Sequence, residues 1–290
     1  MAVDRPTSFW LRLLKQRRER MYDEKLDLST PIEWESDEER QAAIAFFNAA
    51  FRAEESGLRQ AHEIADEIAA WDPELAETLR LYGDEEGWHR EILTEFIAWL
   101  GGEVRPMGRV TRTFYKLYAR AKRPATIVLV NLMFETIGAT TYRLALRSAK
   151  QHPAIRQMLT ILTRDESFHV PLNAHFLRCV LAHEQPSLLG RARLQIIYHG
   201  LSFALTGLAA ASRETAARFD NITFHTLARA YTEQLGRLFV HADDLGFVPS
   251  RLLLRLFGLS RTDLEGQDDV LSVEAAERAA DRSKVVVEAL

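Results

Sequence analysis

The sequence predicts an all-α protein. Long windows place apolar residues at intervals of three and four, and no sustained stretch alternates apolar and polar residues between turn signals. Composition supplies the third observation: with 47% hydrophobic and 27% charged residues in a chain of 290, and only 14 Gly and 9 Pro, the chain can bury a full core and is neither disordered nor collagen-like.

The first element is the segment Trp10-Leu11-Arg12-Leu13-Leu14-Lys15-Gln16-Arg17-Arg18, read as a packed terminal helix, with contact to a membrane surface or partner as the competing reading. The residues before it lack the continuous apolar core of a signal peptide. A long helix begins near Ser36, where Glu39 completes a capping-box pattern, and runs to about Ala70. Trp71-Asp72-Pro73 breaks it, and a second long helix spans Pro73 to Leu100, ended by Gly101-Gly102. After a shorter helix, Val110 to Lys122, a third long helix starts at Pro124 and reaches about Gln151. The fourth runs from Pro153 to about His183, with Pro171 expected to kink it or to remove one backbone bond. Additional C-terminal helices fit Leu188 to Arg218, Ile222 to Asp244 and Arg251 to Phe257. The tail from Asp263 to Leu290 carries eight acids against three bases and few large apolar residues, as a loosely packed terminus does. No domain boundary is evident, so the chain reads as one domain.

Charge and cysteine content exclude further classes. The 41 acids against 37 bases give a net charge of −4, which argues against a nucleic-acid partner. The single Cys, Cys179, forms no internal disulfide or thiolate metal cluster, which suits a reducing cytoplasm. The most apolar stretch, Thr126 to Phe134, stops at Glu135, short of the roughly 20 residues a bilayer requires, so no membrane span is expected.

The chemistry lies in a repeated carboxylate and imidazole pattern. Glu86-Gly87-Trp88-His89 and Glu166-Ser167-Phe168-His169 both read Glu-x-x-His, which puts an acid and an imidazole on one helix face. Two copies prove little in a chain with this many Glu and His; their surroundings decide. Glu135 is the only acid between Glu103 and Asp165, and it stands in the middle of the most apolar helix beside Leu132, Met133, Phe134 and Ile137. An unpaired buried carboxylate is costly, so Glu135 must be protonated or meet a cation. The first half repeats this layout at an offset of 81: Phe47, Phe51, Glu54 and Leu58 match Val128, Leu132, Glu135 and Ala139, and Gly57 matches Gly138. Glu55 competes with Glu54 but lies about 100° around the helix from the apolar line. One Glu from each of two helices and one Glu-x-x-His from each of two others is the ligand set of four-helix di-metal carboxylate bundles. Four carboxylates and two imidazoles, Glu54, Glu86, His89, Glu135, Glu166 and His169, suit iron or manganese better than zinc.

Both motifs carry a preceding acid, as Glu85-Glu86-Gly87-Trp88-His89 and Asp165-Glu166-Ser167-Phe168-His169, which resembles the paired motifs of soluble acyl-carrier desaturases. Trp34-Glu35-Ser36-Asp37-Glu38-Glu39-Arg40 followed by Ala53-Glu54-Glu55 is similar to the entry of ligand-binding oxidases and ribonucleotide reductase small subunits, where the first Glu of the pair is a ligand. The chain thus resembles the ferritin-like di-iron carboxylate superfamily, in its oxygen-activating branch, over about residues 34–183. The resemblance implies a ferritin-like four-helix bundle core and two Fe ions, or an Mn/Fe pair. It implies an O₂-dependent hydroxylase, desaturase or oxygenase with a hydrophobic organic small-molecule substrate. It also implies an electron-donor protein, a reductase or ferredoxin, with a homodimer as one assembly. Glu85 and Asp165 are then expected to orient the His ligands. Val130 stands five residues before Glu135, where the ligand-binding oxidases have a cross-linking Tyr; no residue equates with a radical-storing Tyr, although Tyr82 and Tyr142 lie near the site. The alternative functional reading is iron oxidation or storage without an organic substrate; the bland one is a metal-free bundle held by interhelical salt bridges.

Other features carry less. Arg109, Arg112, Lys116, Arg120 and Arg123 form a basic stripe within residues 105–123, read either as a docking face for an acidic carrier protein or as a solvated helix face. His62, His175, His199, His225 and His241 read as ordinary core or surface histidines, with His62, two turns beyond Glu54, the first to consider as a further ligand.

Overall fold

The computed structural model describes residues 5–108, 112, 113, 115, 118, 121–147, 152–265 and 276–278, with the side chains of residues 20 and 208–216 also outside the description. Among these residues the chain is helical throughout, with no strand: α1 is Thr7–Met21, α2 Asp37–Ile68, α3 Pro73–Trp99, α4 Pro124–Leu146, α5 Pro153–Glu184, α6 Leu188–Asp220, α7 Phe224–His241 and α8 Arg251–Leu256, with 3-10 turns at Asp243–Leu245 and Thr262–Leu264.

The helix ends follow local chemistry. Ser36 caps α2 by accepting the Glu39 N–H, while the Glu39 carboxylate reaches back to the N–H of Glu35 rather than that of Ser36. Pro73, Pro124 and Pro153 each open a helix, where the missing N–H is no loss. Gln185 and Asn221 close α5 and α6 in the left-handed conformation. The seventh helix starts at Phe224, two residues later than the periodicity suggests, because the Thr223 side chain accepts the Thr226 N–H and so sets the cap. Pro171 lies buried inside α5, and the helix continues through it. Arg109, Lys116 and Arg120 of the basic stripe, and most of the acidic tail, lie outside the described residues, as do residues 148–151, the expected end of the third long helix.

The helices α2 with α3, and α4 with α5, form two closely packed pairs. One apolar cluster gathers Ile64 and Ile68 of α2, Leu75 and Leu79 of α3, Val128 and Leu132 of α4 and Phe176 and Val180 of α5. A second gathers Phe47 and Phe51 of α2, Phe96 and Leu93 of α3, Tyr142 and Leu146 of α4, and Leu159 and Leu162 of α5. Each helix therefore passes from one cluster to the other; α2 and α5 run in one direction and α3 and α4 in the opposite one. Each fully buried Leu, Ile or Phe contributes roughly 1.5–3 kcal/mol. The residues between the clusters, near Glu54, Glu86, Glu135 and Glu166, form a polar layer across the middle of an otherwise apolar core.

Helix α4 is the sharpest case, because it is long and apolar enough to cross a membrane, beyond the nine-residue stretch noted in the sequence, yet 83% of its apolar window is buried inside the protein. It is apolar on all sides because α5, α6 and α7 surround it together with α2. Helix α1 packs on α3 and supplies Trp10, Leu13, Leu14 and Met21 to the interior.

Candidate metal centre

The polar layer brings together all six residues singled out by spacing. Glu54, Glu86, His89, Glu135, Glu166 and His169 are each at most 7% exposed. Three sets of their donor atoms converge within 4.8 Å: Glu86 with His89 and His169, Glu54 with His89 and Glu166, and Glu135 with Glu166 and His169. The His169 Nδ1 lies 3.0 Å from Glu86 Oε1, 3.4 Å from Glu135 Oε2 and 3.8 Å from Glu166 Oε2. The His89 Nδ1 lies 3.3 Å from Glu54 Oε2. Glu55 instead faces outward and pairs with Arg52 at 2.6 Å. His62 does not reach the cluster; its ring meets Asp84 at 3.3 Å near the surface.

Each imidazole uses its other nitrogen outside the cluster, and the pairing is crosswise. His89 of the first motif gives Nε2–H to Asp165 of the second at 3.0 Å, and His169 of the second gives Nε2–H to Glu85 of the first at 3.0 Å. That arrangement fixes which nitrogen turns inward, as metal-binding histidines require. Arg17 of α1 joins the two outer acids, and Arg164 grips Asp165 from the other side while its remaining nitrogens hold Glu24. Two tyrosines complete the layer. Tyr82 donates its hydroxyl to Glu135, and Tyr142 donates to Glu54 at 3.3 Å. The repeated glycines belong here as well: a Cβ at Gly57 would press the Glu86 carboxylate at 3.1 Å, and one at Gly138 would lie 3.7 Å from that of Glu166.

The donor set fits a pair of divalent cations. Glu86 Oε1, Glu135 Oε2, Glu166 Oε2 and His169 Nδ1 are buried, find no hydrogen-bond partner outside their own cluster and face one another, an arrangement that proteins otherwise avoid. Charge agrees. The four inner carboxylates would be offset by two divalent ions, and the outer pair, Glu85 and Asp165, is met by the two guanidinium groups of Arg17 and Arg164. These buried Glu and His groups can hold metal.

Without metal, protons take over part of that role. Burial, and then the charges of Glu54 and Glu135, raise Glu86 well above the ordinary carboxylate range. Burial and the Glu135 charge do the same to Glu166. Burial opposes a charge on Glu135, but hydrogen bonds with Glu166 and His169 outweigh it and bring its pKa down to about 2. Burial likewise opposes protonation of His89, and the hydrogen bonds with Asp165 and Glu54 outweigh it, raising His89 to about 9. The metal-free layer therefore favours protons on Glu86, Glu166 and the imidazoles, which a metal must displace. Metal binding is expected to release protons at pH 7 and to tighten as pH rises toward 9, the value to which His89 is raised. Calorimetry of metal binding in buffers of different ionisation enthalpy measures the release, and an identical heat in every buffer contradicts it.

A small pocket reaches this layer between α2 and α4, lined by Ala53 and Gly57, by Phe134 and Gly138, and by Tyr115, and floored by Glu54, Glu135 and Glu166. No family model matches the chain, no curated protein matches it, and no solved structure matches it.

Proposed function

We propose that this protein is an O₂-dependent non-haem di-iron oxidoreductase, a hydroxylase, desaturase or oxygenase acting on a hydrophobic organic substrate. The observation that carries the reading is the convergence of four buried Glu and two buried His, each imidazole anchored from behind by an acid of the opposite motif. Two iron ions held by Glu54, Glu86, His89, Glu135, Glu166 and His169, or an Mn/Fe pair, would supply dioxygen activation, giving two of the four electrons that reduce O₂ to water while the substrate gives the other two. The chain supplies the rest. Glu85 and Asp165 hold both imidazoles in one tautomer and direction. Tyr82 and Tyr142 hold protons at the outer oxygens of Glu135 and Glu54, turning Glu135 Oε2 and Glu54 Oε2 toward the histidines. The two apolar clusters above and below exclude water from the layer. The pocket beside Phe134 and Tyr115 reaches the carboxylates but at about 20 Å³ holds little more than a water, so an organic substrate requires these side chains to move aside. An electron-donor protein belongs to this reading, since a substrate oxidation that reduces dioxygen to water requires outside electrons unless the substrate gives all of them.

Anaerobic loading with Fe(II) tests it. The expected result is two iron atoms per chain, followed on admitting O₂ by new optical absorption and by O₂ uptake proportional to the iron bound. Fewer than about one metal per chain after loading with iron or manganese contradicts a two-metal ligand set of this size. Continued uptake of many irons per chain with each addition of O₂ would point to iron storage.

A further inference from the structure

We propose that Arg17 is a positioning residue of the metal centre, through which α1 sets the direction of both histidines and of one more strongly than the other; this rests on the reading of the polar layer as a two-metal site.

The Arg17 side chain is fully buried, unusual for an unmodified surface-helix base. Its Nε lies 2.8 and 3.0 Å from the two Glu85 oxygens, its Nη2 lies 2.8 Å from Glu85 Oε2, and Nη2 also lies 3.0 Å from Asp165 Oδ1. The guanidinium carbon stands 4.3 Å from the centroid of the Phe168 ring, which fixes the plane of the fork. One rigid cation therefore spans the acids that precede both Glu-x-x-His motifs. Those acids carry the histidines: Glu85 Oε2 takes His169 Nε2, and Asp165 Oδ2 takes His89 Nε2. Swinging either acid would turn the corresponding Nδ1 away from the inner carboxylates.

The support is unequal. Asp165 is also gripped by Arg164, through Nε at 2.8 Å and Nη2 at 3.1 Å, and Arg164 is itself fixed by both oxygens of Glu24 at 2.8 Å. Glu85 takes three contacts from Arg17. Losing Arg17 therefore falls mainly on His169 and on the two donor sets it enters, with Glu135 and Glu166 and with Glu86 and His89, and less on the set that His89 shares with Glu54 and Glu166. Lysine does not replace it, because a single ammonium cannot reproduce a planar fork that serves two carboxylates.

Anaerobic Co(II) titration, followed by optical absorption and by equilibrium dialysis, provides the test with Arg17→Met, Arg17→Lys and Arg164→Met beside the natural chain. In the natural chain two Co(II) bind. In Arg17→Met one is expected to bind as before and the other about 10–100-fold more weakly, as loss of an outer partner does, with altered absorption for the weakened ion. Arg17→Lys is expected to show the same split in smaller measure, and it carries the test if Arg17→Met does not fold. Arg164→Met is expected to weaken the opposite ion, so that the two variants differ in which absorption bands change. Titrations and spectra of both Arg17 variants identical to the natural chain overturn the proposal. So does an equal weakening of both ions in Arg17→Met with Arg17→Lys unchanged, which would make Arg17 a source of charge alone. A natural chain that takes up no Co(II) overturns the two-metal reading itself, a different result from either of these.

Discussion

Glu166→Gln is expected to abolish binding of the second metal and to weaken the first by more than about 100-fold, the upper range for losing even an outer partner, while leaving the metal-free protein nearly as stable as before. The reasoning turns on which carboxylates the metal-free layer already neutralises. Burial and the Glu135 charge raise Glu166 well above the usual carboxylate range, which favours the uncharged acid in the metal-free layer, and a Gln of the same shape replaces that form closely. The amide can still donate to Glu135, as the protonated acid does. Unfolding temperature of the metal-free protein is therefore expected to shift by no more than about 2–4 °C, the equivalent of about 1 kcal/mol in a domain of 150–250 residues. Metal is different. Glu166 belongs to the donor sets of both histidines, so its loss removes a ligand from each. The measurement is a pair: metal content after loading, and thermal unfolding with and without metal. A variant that keeps two metals, or a metal-free form that falls by ten or more degrees, would show that Glu166 is a structural pairing partner, as in a bundle held by salt bridges.

Much of this site is legible in the sequence for a simple reason. A helix has one dominant period, so an acid that keeps the apolar register of its helix must point into the core, and Glu54 and Glu135 both do at the shared offset of 81. The same offset aligns Gly57 and Gly138; a Cβ at Gly57 would crowd the Glu86 carboxylate at 3.1 Å, which explains a small residue there, whereas at Gly138 one would meet Glu166 only at ordinary contact distance. The crosswise pairing of Glu85 with His169 and Asp165 with His89 is not legible, because it depends on how far α3 and α5 rotate against each other, and no spacing within one helix encodes that. The roles of Tyr82 and Tyr142 are hidden for the same reason, since each donates to a Glu on another helix. Arg17 did leave a signal. Trp10, Leu13, Leu14, Arg17 and Met21 recur at intervals of three and four, so the arginine occupies the apolar face of α1, and a lone base in that register is the counterpart of the lone acid Glu135. Reading the segment as a packed terminal helix fits its apolar face but assigns no buried partner to the base within it.

Glu85→Ala is expected to destabilise the metal-free protein by about 3–5 kcal/mol, the range for removing one partner from a buried ion pair. Glu85 is 1% exposed, takes three contacts from the fully buried Arg17, and receives His169 Nε2, so its removal takes an acceptor from two buried cationic or donating groups. Glu55→Ala provides the matched comparison. Glu55 also stands next to a site glutamate and also pairs with an arginine, Arg52 at 2.6 Å, but its side chain is 37% exposed, and such pairs are worth only about 0–1 kcal/mol. Urea unfolding of the two metal-free variants, with unchanged slope, reads the difference directly as a shift in midpoint. Equal losses would mean that the outer acids act as surface charges and that Arg17 is stabilised by packing on Phe168 rather than by its carboxylates. A large loss in Glu85→Ala alone would locate the stability of the α1 contact in the same polar layer that holds the histidines, so that folding of the N-terminal helix and readiness of the site for metal depend on one set of bonds.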